Sequence, residues 1–165
     1  MVNLRVDTVE LAGGWQTTRE VVEHGEVVAV VPLLEEGDVL LVQQYRLPAA
    51  QTLLEVPAGG VDEGEKPEEA AQRELGEECG QQANRLERLG GFYLSPGFSS
   101  EFVHMFLATQ LRPVRARPEP DEEIAVVRLP LAEALRLVRK GEIRDGKSII
   151  GLTWTWEKVS GFTIE

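Results

Sequence analysis

Cysteine is nearly missing from this chain, with one, Cys79, in 165 residues. A lone cysteine excludes an internal disulfide and a cysteine-based metal cluster. Histidine is almost as scarce: His24 and His104 are the two present. Neither is near Cys79 in sequence, so a thiol activated by a neighbouring imidazole finds no support. Basic residues are short as well, 17 Lys and Arg against 28 Asp and Glu, a formal net charge of −11. Non-specific nucleic-acid binding needs a basic surface, and this balance argues against it. No apolar run approaches the roughly 20 residues of a membrane-spanning helix, and the opening MVNLRVDTVEL lacks signal-peptide organisation. The expectation is a cytoplasmic protein with no membrane or nucleic-acid partner.

What is present is ordinary for a globular domain: 42% hydrophobic and 27% charged residues, in a length that suits one domain with a substantial core. The acids, however, are concentrated. Gly59 to Gly80, GGVDEGEKPEEAAQRELGEECG, carries Asp62, Glu63, Glu65, Glu68, Glu69, Glu74, Glu77 and Glu78 against only Lys66 and Arg73. Its second half predicts a helix. Pro67 suits the first helical position, Ala70, Ala71 and Leu75 form a narrow apolar seam, and Gly80 is placed as a C-terminal stop. Glu74 and Glu78 then stand one turn apart on one face, with Glu77 beside them.

A glutamate-rich helix face is ordinarily solvated surface. Carboxylates converging on one site raise one another's pKa unless a cation is present, and a hard divalent ion with oxygen ligands resolves the conflict. The fixed gaps favour the second reading. Gly59, Glu65, Arg73-Glu74-Leu75, Glu77-Glu78 and Gly80 resemble the Nudix box of the Nudix hydrolases, with every polar and glycine position filled. Two positions depart from the pattern. Gln81 replaces an aliphatic residue, and Lys66 replaces the usual Ser/Thr N-cap, which it cannot imitate as an acceptor.

The resemblance implies Mg²⁺-dependent hydrolysis of a diphosphate, with Mn²⁺ as an alternative ion. It implies Glu74 and Glu78 as principal metal ligands, Glu77 as a further or water-mediated ligand, and the Ala58 carbonyl as another. Glu65 is expected to hold the box loop to the helix, with a ligand role as the alternative, and Arg73 to pair with Glu77 or Glu65. LLEVPAG before the box, QQYR at 43–46 and Pro96 of SPG after it look like the ADP-ribose pyrophosphatase branch. That likeness implies a phosphate contact from Arg46, substrate contact near Pro96 and Glu101, and a general base in PEPDEEI. Glu122 aligns best as the base and Glu123 next, with the box glutamate Glu77 the remaining candidate. It also implies a homodimer whose N-terminal strands help build the adenine pocket, with Trp15 stacking on the base and Arg19 reaching substrate. For Trp15 an interface or core aromatic is the competing reading. The alternatives in function are a pyrophosphatase for another nucleotide, or a non-catalytic nucleotide sensor.

The remaining pattern predicts strands at 3–11 and 15–23, an apolar strand at 26–34, and strands at 39–45 and 53–57. Further strands are expected at 85–94, bulged at Gly90-Gly91, at 101–109 and at 123–129, with a mobile loop over 112–122. Helices are expected at 130–141 and 147–158, the latter despite Gly151 and with a strand as the alternative. The fold class is therefore α/β. The resemblance implies a Nudix-like α/β/α sandwich with a mixed sheet. The expected division is a β-ribbon over 1–25 and the hydrolase domain over 26–165.

Overall fold

A computed structural model describes residues 3–115 and 123–161. Among the described residues nine strands and three α-helices follow one another: β1 (Asn3–Glu10), β2 (Gln16–Glu23), β3 (Val27–Pro32), β4 (Asp38–Arg46), β5 (Gln51–Glu55), β6 (Ala58–Gly60), α1 (Pro67–Cys79), β7 (Gln81–Tyr93), β8 (Phe102–Pro113), β9 (Ala125–Pro130), α2 (Leu131–Arg139) and α3 (Gly146–Ser160).

The strand VVAVVP, buried at all six positions, explains the architecture. A strand that is apolar throughout must be covered on both faces. Val27, Ala29 and Val31 point into a core shared with Leu131, Ala134 and Leu152 of α2 and α3. Val28 and Val30 point into a second core with Ala70, Ala71, Leu75 and Cys79 of α1. β8 and β4 alternate the same way, Val103, Met105, Val39 and Leu41 on the first side and Phe106, Ala108, Leu40 and Val42 on the second. The sheets thus lie between α1 and the α2/α3 pair, the α/β/α arrangement expected.

One sheet has the order β6-β3-β8-β7 and is mixed, because β3 and β8 run parallel while β3 and β6, and β7 and β8, are antiparallel. The other, β5-β4-β9, is antiparallel and meets it through a Leu33–Val39 bridge. β1 and β2 form a separate two-stranded ribbon. Gly151, which weakens the helical pattern on paper, lets α3 lie close to the sheet. A Cβ there would come within 2.8 Å of Met105 Sδ and 3.0 Å of Val31.

Three expectations are corrected. The three-residue strand β6 was not foreseen, because Ala-Gly-Gly has little strand propensity of its own and is held by its partner β3. Part of the loop expected over 112–122 is strand, and residues 116–122 lie outside the described residues. Arg112 and Pro113 close β8 against Gln82 and Gln81; the proline sits at a strand end, where its missing N–H is tolerated. The bulge falls between Arg88 and Gly90, one residue from where it was read.

Candidate active site

α1 positions the acidic cluster. It begins at Pro67, and Glu69 accepts a hydrogen bond from the Lys66 amide at 3.1 Å, so the first turn is tied down without a side-chain acceptor from Lys66. It ends at Gly80, whose φ of +61° suits glycine. Burying Ala70, Ala71, Leu75 and Cys79 against the sheet draws the flanking acids inward, leaving Glu74 9% and Glu78 6% exposed.

Arg73 is the hub of this cluster. It donates to both oxygens of Glu65 (3.0 and 2.9 Å), to Glu74 (2.7 Å), to Glu77 (3.1 Å) and to the Gly60 carbonyl (2.8 Å). Asp62 lies 3.9 Å away. The bond to Glu65, followed by those to Glu74 and Glu77, raises the guanidinium above its already high ordinary value. Glu65 is in turn lowered, chiefly by Arg73, and accepts from the Asp62 amide at 3.1 Å. Glu65 therefore stands as the clasp between the box loop and the helix.

The strand preceding the helix completes the wall. The Ala58 amide donates to Glu78 Oε2 at 3.0 Å. At Gly59 a Cβ would fall 2.0 Å from Glu74 Oε1, so glycine is required for this carboxylate to lie where it does. Among the described residues no group of three or more His, Cys, Asp or Glu side chains is gathered closely enough to enclose a metal ion. The donors nonetheless suit one. Two nearly buried carboxylates a turn apart, a third at the rim and adjacent backbone offer hard oxygens on one side only, leaving the rest of a coordination sphere to water and substrate.

Across from this wall, Arg46 at the end of β4 grips Glu55 with two hydrogen bonds of 2.9 and 3.0 Å. Alternation along β4 places Arg46 on the same face as Val42, the face covered by α1. Glu55, 1% exposed, also accepts from Lys147 Nζ at 2.6 Å. Lys147 donates to Asp145 as well, and Asp145 caps α3 through the Ser148 amide at 2.9 Å. Glu78 is among the charges that raise Arg46 after Glu55, so the two walls feel each other's charge. Beyond Arg46 a cleft of about 660 Å³ is lined by Gln43, Gln44, Tyr45, Thr52, Glu123, Ile124 and Ala125. Glu123 therefore lines a cleft together with Gln43, Gln44 and Tyr45 of β4, while Glu122 lies outside the described residues.

The loop holding Pro96 and Glu101 leads into β8 beside the start of β3, where Val27 pairs with both Val103 and Gly60. It thus shares an end of the sheet with the box loop. The ribbon docks on it, the Val22 amide donating to Phe98 and the Ser100 amide to Val22, at 2.7 and 3.1 Å. Trp15 and Arg19 are not brought to the box within one chain. Trp15 is 78% exposed near the ribbon's turn, and among the described residues the Arg19 guanidinium bonds only Thr17 and Thr18 of its own strand. Burial, with some help from Glu78, pushes the Cys79 thiol up to about 12, and His104 is engaged by Glu26 and Arg88. A thiol so raised is not a nucleophile at neutral pH. Glu55 and Lys147 went unrecognised as a pair. The one signal for them in sequence is a carboxylate inside the apolar run LLEVP.

With this geometry in place, comparison with known proteins decides the family. The model of the NUDIX domain matches residues 23–150. The chain belongs to the NUDIX family. It is 40% identical over 156 residues to a protein of Bacillus subtilis (strain 168) described as ADP-ribose pyrophosphatase, covering 93% of this chain and 84% of that one. A Mycobacterium tuberculosis protein of the same description is 43% identical over 163 residues, covering 96% of this NUDIX chain and 78% of the relative. A solved structure titled ADP compounds hydrolase superposes with a TM-score of 0.83 at 25% identity, over 98% of this chain and 97% of that one.

Proposed function

We propose that this protein hydrolyses the diphosphate bond of ADP-ribose, or of a close nucleoside diphosphate sugar, to AMP and a sugar phosphate, with Mg²⁺ as cofactor and Mn²⁺ able to replace it. The observation that carries the reading is the pairing of walls: buried Glu74 and Glu78 beside Gly59 on one side, and Arg46 on the same sheet face opposite. One wall suits a divalent cation and the other a phosphate anion. A diphosphate chelating that cation would lie between them. The pyrophosphatase relatives over nearly the whole chain support the substrate class.

Water attacks one phosphorus, and the bond from that phosphorus to the bridging oxygen breaks, the electron pair leaving on the other phosphate. A bound divalent ion supplies charge neutralisation of the bridge and of the leaving oxygen. The chain's own part is placement. Glu74 and Glu78, with Glu77 and the Ala58 backbone, hold the ion, and Arg73 holds the carboxylates. Arg46 steadies a phosphate through Nη1, which has no partner among the described residues. A carboxylate takes the proton from the attacking water: Glu122 or Glu123, with Glu77 as the box alternative. Pro96 and Glu101 contact the substrate from the neighbouring loop.

We assign the pocket's remaining wall to a second copy of the chain. The ribbon exposes Leu4, Val6 and Trp15, which a homodimer through the N-terminal strands would cover. Trp15 and Arg19 then reach the partner's substrate rather than their own. Incubation with ADP-ribose and Mg²⁺ tests the reaction, with AMP as the expected product. Release of a mononucleotide only from another diphosphate would move the substrate and keep the chemistry, and no turnover of any nucleotide would favour a sensor. Sedimentation of the full chain tests the dimer; a monomer at assay concentration would remove Trp15 and Arg19 from the site.

A further inference from the structure

The geometry points to Glu55 as a positioning residue for Arg46, with Lys147 as its second anchor. The inference rests on the reading of Arg46 as a diphosphate contact. Glu55 is a buried carboxylate on β5, one strand away from Arg46, and it takes Nε and one Nη of that arginine in a two-point grip. Such a grip fixes the plane of the guanidinium as well as its place. It leaves Nη1 and the second N–H of Nη2 unclaimed among the described residues, so the edge of Arg46 still able to donate is held in a set direction.

Glu55 is itself over-determined. Lys147 donates to the oxygen that Arg46 Nη2 also uses, and Lys147 is oriented by Asp145, the cap of α3. Ser148, in the first turn of that helix, accepts from the Val56 amide at 2.8 Å. The residue after Glu55 is thus pinned to the same helix end that holds its side chain. Burial pushes the Glu55 carboxyl up, and Arg46 and Lys147 more than reverse this, so it stays ionised at neutral pH. An exposed arginine at a strand end would search many rotamers before meeting a phosphate. This one is ordered in advance by a carboxylate that does not itself face the bond to be broken.

A double-mutant cycle tests the assignment. Glu55→Gln in the full chain is expected to lower kcat/KM about tenfold to a hundredfold, mainly through KM, as the second coordination partner of a working residue does. In an Arg46→Ala background the same substitution should change kcat/KM less than twofold, because the side chain it positions is gone. Equal losses in both backgrounds would overturn the proposal and leave Glu55 a fold-holding residue. Thermal melting is followed on each variant. If Glu55→Gln melts below the assay temperature, Glu55→Asp, which keeps the charge but shortens the reach, replaces it in the same cycle with the same two outcomes. Lys147→Met should produce a smaller KM rise that also disappears without Arg46. The cycle runs on whichever diphosphate the wild type hydrolyses, so failure of ADP-ribose as substrate is seen in the wild type alone and is separate from failure of this inference.

Discussion

Two ion-pair centres face the same space with different balances of charge. At the box, one cation, Arg73, is shared among Glu65, Glu74 and Glu77, with Asp62 close by. At β5, two cations, Arg46 and Lys147, meet two carboxylates, Glu55 and Asp145. The first is left with surplus negative charge and the second with a guanidinium edge. The difference teaches how a chain of net charge −11 can address an anionic substrate. It does so with a local surplus of carboxylates for a cation and one directed guanidinium edge for the anion, since the overall field of the protein repels anions.

The comparison is broken most severely by Glu78→Gln. The amide oxygen can still accept from the Ala58 N–H, so the fold should persist while the surplus charge falls. Turnover measured with Mg²⁺ should drop by more than about a hundredfold. Unchanged turnover would take Glu78 out of the metal site.

Gly59→Ala comes next and separates stability from activity. The new methyl meets the end of the Glu74 side chain, which can swing away, so the melting temperature should change by only a few degrees. Activity should fall at least tenfold, because the carboxylate has swung from its place. Comparable losses in both measurements would mean that Glu74 is holding the fold.

Arg73→Gln sharpens the contrast. Its partners are carboxylates, so it should act through them, raising the Mg²⁺ concentration for half-maximal activity about tenfold to a hundredfold. An effect on substrate KM with the Mg²⁺ requirement unchanged would reassign Arg73 to substrate binding.

The smaller effects concern stability. Glu55 has a depressed folded pKa, so the stabilisation it brings is complete above the ordinary carboxylate value of about 4.3 and is lost as pH falls through the folded value. Urea unfolding curves taken from pH 6 to pH 3 should show a loss of stability attributable to this group, absent in Glu55→Gln. Parallel curves for the two proteins would remove Glu55 from the acid response. Smallest of all, Cys79→Ala should cost about 1 kcal/mol of stability and leave turnover unchanged. A large loss of activity would show that the thiol is chemically engaged.

Much of the box was legible because its signals are local. Pro67, Gly80 and the Ala70–Ala71–Leu75 seam set the helix to the residue at both ends. The buried strand at β3 was equally plain, since a run of apolar β-branched residues has few other uses. What escaped was decided by distant partners. β6 exists because Ala58–Gly60 pairs with β3, and Arg112-Pro113 is strand because Gln81-Gln82 lies alongside. The grip of Lys147 on Glu55 joins residues 92 positions apart, and no spacing rule reports that. Arg46 was singled out by its place in QQYR; the carboxylate that holds it became visible only once β5 lay beside β4.

Between Glu55 and Ala58 stand only Val56 and Pro57, and each link is moored. Val56 donates to Ser148, the Pro57 carbonyl accepts from Val30, and Ala58 donates to Glu78. Three peptide steps of extended chain measure about 10 Å. This short span works as a gauge: it sets the gap between the anion-seeking and cation-seeking halves by main-chain length, which no rotamer change can alter. A residue inserted there would open the gap and turn one half to the opposite face of the sheet, spoiling the site while leaving every functional side chain in the sequence.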